Sequence, residues 1–147
     1  MQIFIDNYIN SYMPTQTRQI VDQMLEAFNA KDVDAVVSTF SDDAILIYHG
    51  TQVMPAAKFQ GKEGARMFFE FNINALDVVF FKANQFVEQD NTVVILGNEH
   101  FISKEDGTHL KNSWVQVYTI SNGLISKMEE FATSAQPNQY GGNAGGV

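Results

Sequence analysis

Proton-transfer chemistry needs a carboxylate, an imidazole or a phenol held in a partly dry place, and this 147-residue chain offers few candidates. Two adjacent pairs, Glu99-His100 and Glu129-Glu130, lie in runs where apolar and polar residues alternate. Neighbours on a strand point to opposite faces, so Glu99 and His100 do not form a ready acid–base pair. If Glu130 is the inward member of its pair, burial among apolar groups raises its pKa and makes it a general base. His100 is the second candidate for that role. Tyr48, at the end of the run AILIY, is a candidate hydrogen-bond donor and a poor base near neutral pH. Asn112 and Gln116 cannot move protons at neutral pH but can orient a carbonyl or carboxylate. Each candidate also has a structural reading: a strand tyrosine reaching water, a surface histidine, half of an exposed glutamate pair.

Other chemistries are poorly supported. There is no cysteine, so disulfides and thiolate nucleophiles are excluded, which suits a cytoplasmic location. No serine sits in a nucleophile turn. His49, His100 and His109 lack metal-ligand spacing, so no metal and no cofactor is expected. A formal net charge of -8 with nine scattered basic residues argues against nucleic acid and against anionic membrane surfaces as partners. The opening MQIFIDNYINSYMP lacks a basic n-region and makes a poor signal peptide. No apolar run approaches the roughly 20 residues of a membrane span.

The elements that must position these residues follow from periodicity. Residues 1–14 form an extension ending at Pro14. Thr15 or Thr17 can cap a helix carrying Ile20, Val21, Met24, Leu25 and Phe28 on one face. Asp32 can cap a second, shorter helix with Val33, Val36, Val37 and Phe40 on one side. Asp42 and Asp43 are expected in the turn that follows, and Ala44 to Tyr48 in a strand. Residues 50–58 read as a loop. Gly61 opens a third helix whose Ala65, Phe68, Phe69 and Asn72 share a face. From residue 76 the period becomes two, giving four longer strands separated by QDN, KEDGT and SNG. Residues 15–134 thus form one α+β domain, with three N-terminal helices on one face of a curved antiparallel sheet. The Gly-rich tail, 135–147, is expected to be flexible.

This order of elements, with FSDDA, FQGKEGARMFF and NSWVQVYTISNGLISKMEEFAT, resembles the NTF2-like superfamily, and within it the SnoaL-like and ketosteroid-isomerase-related group. The resemblance implies a cone-shaped fold around a pocket. It also implies a site, which this sequence departs from. The isomerase base would stand at Tyr48, its helix tyrosine at Met24, and its protonated aspartate on or next to Gln116. The aspartate that SnoaL-like cyclases carry on the last strand would stand at Ala132.

Alternation then supplies a pocket. Tyr48 taken as inward brings Ala44 and Leu46 with it, and Asn112, Trp114, Gln116 and Tyr118 share one face of the third of the longer strands. Pairing through KEDGT about Asp106 sets Val94, Leu96, Asn98 and His100 beside them. By the family alignment Met128, Glu130 and Ala132 point inward. The expected catalytic set is Glu130, His100 and Tyr48, and the expected ligand contacts are Met24, Phe28, Leu46, Phe68, Asn112, Trp114, Gln116, Tyr118, Met128 and Ala132. Such a wall suits a small, mostly apolar molecule with one or two oxygens. The chemistry would be proton transfer, cyclisation or (de)hydration next to a carbonyl. The alternatives are a non-catalytic ligand-binding or dimerisation module, and, with least support, a transport adaptor. Ile45, Ile47, Val115 and Val117 make the other sheet face apolar as well, which implies a homodimer through it.

Overall fold

The structure is a computed structural model that describes residues 15–144; the extension 1–14 and the last three residues of the tail lie outside the described residues. The Thr15 hydroxyl accepts a hydrogen bond from the Arg18 amide at 3.1 Å and starts helix α1 (Gln16–Asn29). Its face of Val21, Met24, Ala27 and Phe28 is buried, following the helical spacing in the sequence. Lys31, at φ 57°, reverses the chain. Asp32 then accepts from the Ala35 amide at 3.0 Å to start the short α2 (Val33–Ser38).

The chain continues through β1 (Phe40–Tyr48), β2 (Ala57–Gln60), α3 (Gly61–Asn74), β3 (Leu76–Gln89), β4 (Thr92–Ser103), β5 (His109–Ser121) and β6 (Leu124–Thr133). A six-stranded sheet runs in the order β2-β1-β6-β5-β4-β3. All neighbours are antiparallel except β1 and β6, whose parallel pairing closes the long connection through the other elements. The α+β architecture and the three helices are as expected; the sheet is mixed rather than wholly antiparallel.

Two further differences have local causes. Phe40 begins the strand instead of ending the helix, so Asp42 and Asp43 lie inside β1, at an irregularity between Phe40 and Ile45. That irregularity lets two charged residues stay exposed within a strand whose flanks, Phe40 and Ala44, are fully buried. Ala57 and Lys58, expected at the end of a loop, pair with β1 as the first half of β2. The start of the tail is tied down: Gln136 donates to the Lys111 carbonyl, and Pro137–Gln139 form a short 3-10 turn.

The inner face of the sheet and the helices share one core. Arg18 stacks on the Phe86 ring at 3.4 Å, and Thr15 bonds Glu88, fixing the start of α1 to the end of β3. Phe28 meets Phe69 and Phe81 edge-on, with ring centroids 6.0 and 5.2 Å away. These rings border a cavity lined by residues of both the helices and the sheet. No described helix is long and apolar enough to cross a membrane.

Candidate active site

The cavity has a volume of about 260 Å³, near the lower end for small-molecule sites. Its walls are apolar over most of their extent. Met24 and Phe28 come from α1, Phe68 and Phe69 from α3, Phe81 from β3, and Phe101 from β4. These rings meet at angles rather than stacking flat: Phe68 meets Phe69 at 88° and Phe59 at 64°. Exposed Pro55 and half-exposed Phe71 mark the mouth.

The polar groups converge on the sheet side, and register explains where. On β1, β6 and β5, Tyr48, Glu130 and Gln116 form one row, because Tyr48 pairs with Glu130 and Glu130 pairs with Gln116. Further along β5, Asn112 pairs with Glu99 of β4. Tyr118 donates its hydroxyl proton to Gln116 Oε1 at 2.6 Å, which fixes the amide so that Nε2 donates to Glu130 Oε1 at 2.6 Å. A proton on Glu130 is therefore carried by Oε2, which has no hydrogen-bond partner among the described residues. Asn112 Nδ2 donates to Glu99 Oε1 at 3.0 Å, while Asn112 Oδ1 is buried without a partner.

Electrostatics set the protonation. Burial pushes Glu130 up to about 7, opposed by the Gln116 hydrogen bond. Burial pushes Glu99 up to about 8, and the charge of Glu130 adds to the shift against the Asn112 hydrogen bond. The two titrate as a pair. Burial, then the Glu130 charge, pushes Tyr48 up to about 12, and Tyr118 is pushed well above the ordinary phenol range. Both phenols remain donors at every physiological pH. Among the described residues no lysine, arginine or histidine lies on the cavity wall.

The structure gathers Tyr48, Glu130, Met24, Phe28, Phe68, Asn112, Gln116 and Tyr118 on this cavity. Five other expected residues lie elsewhere. His100 is on the opposite face of the sheet, bonded to His109 at 2.8 Å and facing Phe80 edge-on. Leu46 and Met128 point inward but are sealed in the core at 1% exposure, opposite each other on β1 and β6. Trp114 is roofed by Phe81, which stacks on it at 4.8 Å and takes its place on the wall. Ala132 sits half-buried beside Trp114, packed on the core.

The principal residue that sequence reasoning missed is Glu99. The KEDGT turn pairs Ser103 with Thr108 around a four-residue loop, so its centre falls between Glu105 and Asp106 rather than on Asp106. A one-residue slip turns every side chain of β4 over, and brings Val93, Ile95, Glu99 and Phe101 inward in place of their neighbours. The signal was Gly107, whose φ of 73° marks the last loop position. Among the described residues no group of three acidic, histidine or cysteine side chains could hold a metal.

A family model described as SnoaL-like domain matches residues 21–128. The chain belongs to that family, and so to the NTF2-like superfamily. No curated protein matches its sequence. Among solved structures it resembles an NTF2-like protein of Burkholderia xenovorans at 18% identity and TM-score 0.72, over 81% of this chain and 90% of that one. It also resembles a putative isomerase of Bacillus subtilis at 14% identity and TM-score 0.68, over 80% and 86%. A third is a Mycobacterium tuberculosis protein in complex with estradiol-17β-hemisuccinate, at 18% identity and TM-score 0.67, over 80% and 94%. At these identities the likeness extends to the fold alone.

Proposed function

We propose that this protein binds a small, mostly apolar molecule in the cavity and moves a proton on the carbon next to its carbonyl, with Glu130 as the base. The observation that carries this reading is a carboxyl at 6% exposure, one oxygen tethered by Gln116 and the other without a partner, in an aromatic cavity. A base whose pKa lies near neutrality combines adequate ionisation with adequate strength. In the step itself, Glu130 Oε2 takes the α-proton as the C–H bond breaks. The electron pair moves to the carbonyl oxygen, where the Tyr48 hydroxyl donates a hydrogen bond to the forming enolate. Returning the proton to another carbon gives isomerisation, and attack by the enolate on an internal electrophile gives cyclisation. The bound steroid ester of the mycobacterial structure supports a ring-bearing, largely apolar ligand for this fold.

Proton exchange tests this without knowledge of the substrate. In deuterated buffer at pH 7.5, 2-indanone is a probe of suitable size, and its α-protons exchange at a rate read by NMR. We expect an acceleration that Glu130→Gln reduces by roughly 10²–10⁴-fold, the usual worth of a positioned base. An equal rate in that variant would remove Glu130 from the role. A bare binding module would show ligand uptake with no exchange in either form.

The outer sheet face supports a second part of the reading, a homodimer. Leu96 is 37% exposed and Phe131 46% exposed, beside Val94, Val115 and Val117. A single antiparallel sheet ordinarily solvates that side. Sedimentation should show a dimer for the native chain and a monomer for Leu96→Lys; a monomeric native chain would refute the assembly.

A further inference from the structure

We infer that the Glu99–Asn112 end of the cavity is an anchoring subsite for a protonated amine, so that the ligand is an apolar carbonyl compound bearing an ammonium group. This deepens the proposed reading of the cavity and rests on it. Three observations carry it. First, Asn112 Oδ1 is a buried acceptor with no hydrogen-bond partner among the described residues, and the free Oε2 atoms of Glu99 and Glu130 on the same wall become acceptors once those carboxyls ionise. Asn112 is buried to 9% exposure, and a buried acceptor left unpaired calls for a donor from a guest. Second, among the described residues the wall carries two carboxyls and no basic side chain, so a cation is the charge that it complements. Third, the remaining wall is largely aromatic rings, whose faces attract cations and repel anions.

The two ends of the polar row differ in what they hold. Glu130 is committed through Gln116 and Tyr118 to one orientation beside Tyr48, which suits a reacting group. Glu99 and Asn112, four residues further along β5 and on its other side, present acceptors that can close on an ammonium from two directions. The charge that reaches Glu99 is that of Glu130 from β6, and the Asn112 amide from β5 hydrogen-bonds it. Tyr48 from β1 and Tyr118 from β5 also line the cavity and stay neutral, and the helices contribute no charged group to the wall. An arriving ammonium ionises Glu99, so binding releases a proton when the empty cavity holds Glu99 neutral. Affinity for the amine therefore falls as pH drops.

Calorimetry with three near-isosteric probes tests the subsite: 2-phenylethylamine, 2-phenylethanol and 3-phenylpropanoate. At pH 8.5 we expect the amine to bind at least ten-fold more tightly than the alcohol, and the carboxylate more weakly than either. Below pH 7.5 the amine's affinity should fall by up to ten-fold per pH unit, with a proton released on binding. The amine preference should vanish in Glu99→Gln, while the alcohol still binds and so confirms an intact cavity. Equal binding of amine and alcohol to the native protein, or a preference that survives in Glu99→Gln, overturns the inference. Either failure leaves the Glu130-dependent exchange of 2-indanone standing, so the two readings are separable.

Discussion

Glu99→Gln should raise the melting temperature at pH 8.5 by roughly 6–10 °C and leave it nearly unchanged at pH 5. In the native protein the Glu99 carboxyl is held far above its ordinary value of 4.5, chiefly by burial and then by the Glu130 charge. The sign follows from which state binds more protons. Between about pH 4.5 and 8 the unfolded chain has lost this proton and the folded one keeps it, so stability falls as pH rises through that window. Below the window both states are protonated, and the full stability is present. Glutamine has the shape of the protonated acid and no charge to bury, so over the same range the variant loses only the stability that ionisation of buried Glu130 costs. Each pKa unit corresponds to about 1.4 kcal/mol. A net gain of about 2–3 kcal/mol remains after the lost acid–amide interactions, and at this chain length 1 kcal/mol moves the melting temperature by roughly 3 °C. Thermal denaturation of both proteins from pH 5 to 8.5 measures it. A native profile that is flat across that range, or a variant less stable at pH 8.5, would show that Glu99 is not a buried acid.

The same residue shows where the sequence stops being legible. Helix faces were readable because α1 buries Val21, Met24, Ala27 and Phe28 at a spacing that no strand shares, with Thr15 and Asp32 marking the starts. The SNG hairpin was readable because Asn122 and Gly123 both take positive φ, the conformation that this pair of residues favours. The phase of β4 was not. Val93 and Ile95 on one face and Val94 and Leu96 on the other are equally apolar, so hydrophobicity could not choose between them. Only the turn length decided it, and with it whether His100 or Glu99 met the ligand. Gln116 and Tyr118 could be set on one face because β5 alternates buried and less buried residues along its whole length, Leu110 to Ile120, whereas Glu130 on β6 was set inward by the family resemblance. Pointing inward was still not the same as lining the cavity. Trp114 satisfies the first, but the stacked Phe81 ring keeps it from the second, and that ring arrives from a strand whose register shifts twice.

Gly97→Ala should cost about 3 kcal/mol and lower the melting temperature by roughly 10 °C. Gly97 lies in β4 between Ala83 of β3 and Trp114 of β5, on the inner face where the indole crosses the strand. A methyl group there would sit 2.2 Å from the Lys82 carbonyl oxygen and 2.3 Å from Trp114 Cζ2. Neither neighbour can easily give way. The carbonyl belongs to the paired backbone of β3, and the indole is held at 2% exposure under Phe81. Relief requires β3 to move outward or the Trp114–Phe81 stack to tilt, and close-packed interiors resist both. The second route reaches the site, because Phe81 is both the roof of Trp114 and part of the cavity wall. The variant should therefore lose ligand affinity as well as stability, even though residue 97 touches no ligand. Tryptophan fluorescence offers a direct readout, since Trp114 is the sole tryptophan of the chain and its buried emission should shift to the red. An alanine variant with native melting temperature and unshifted emission would mean that the backbone of β4 lies further from β3 and Trp114 than the structure places it.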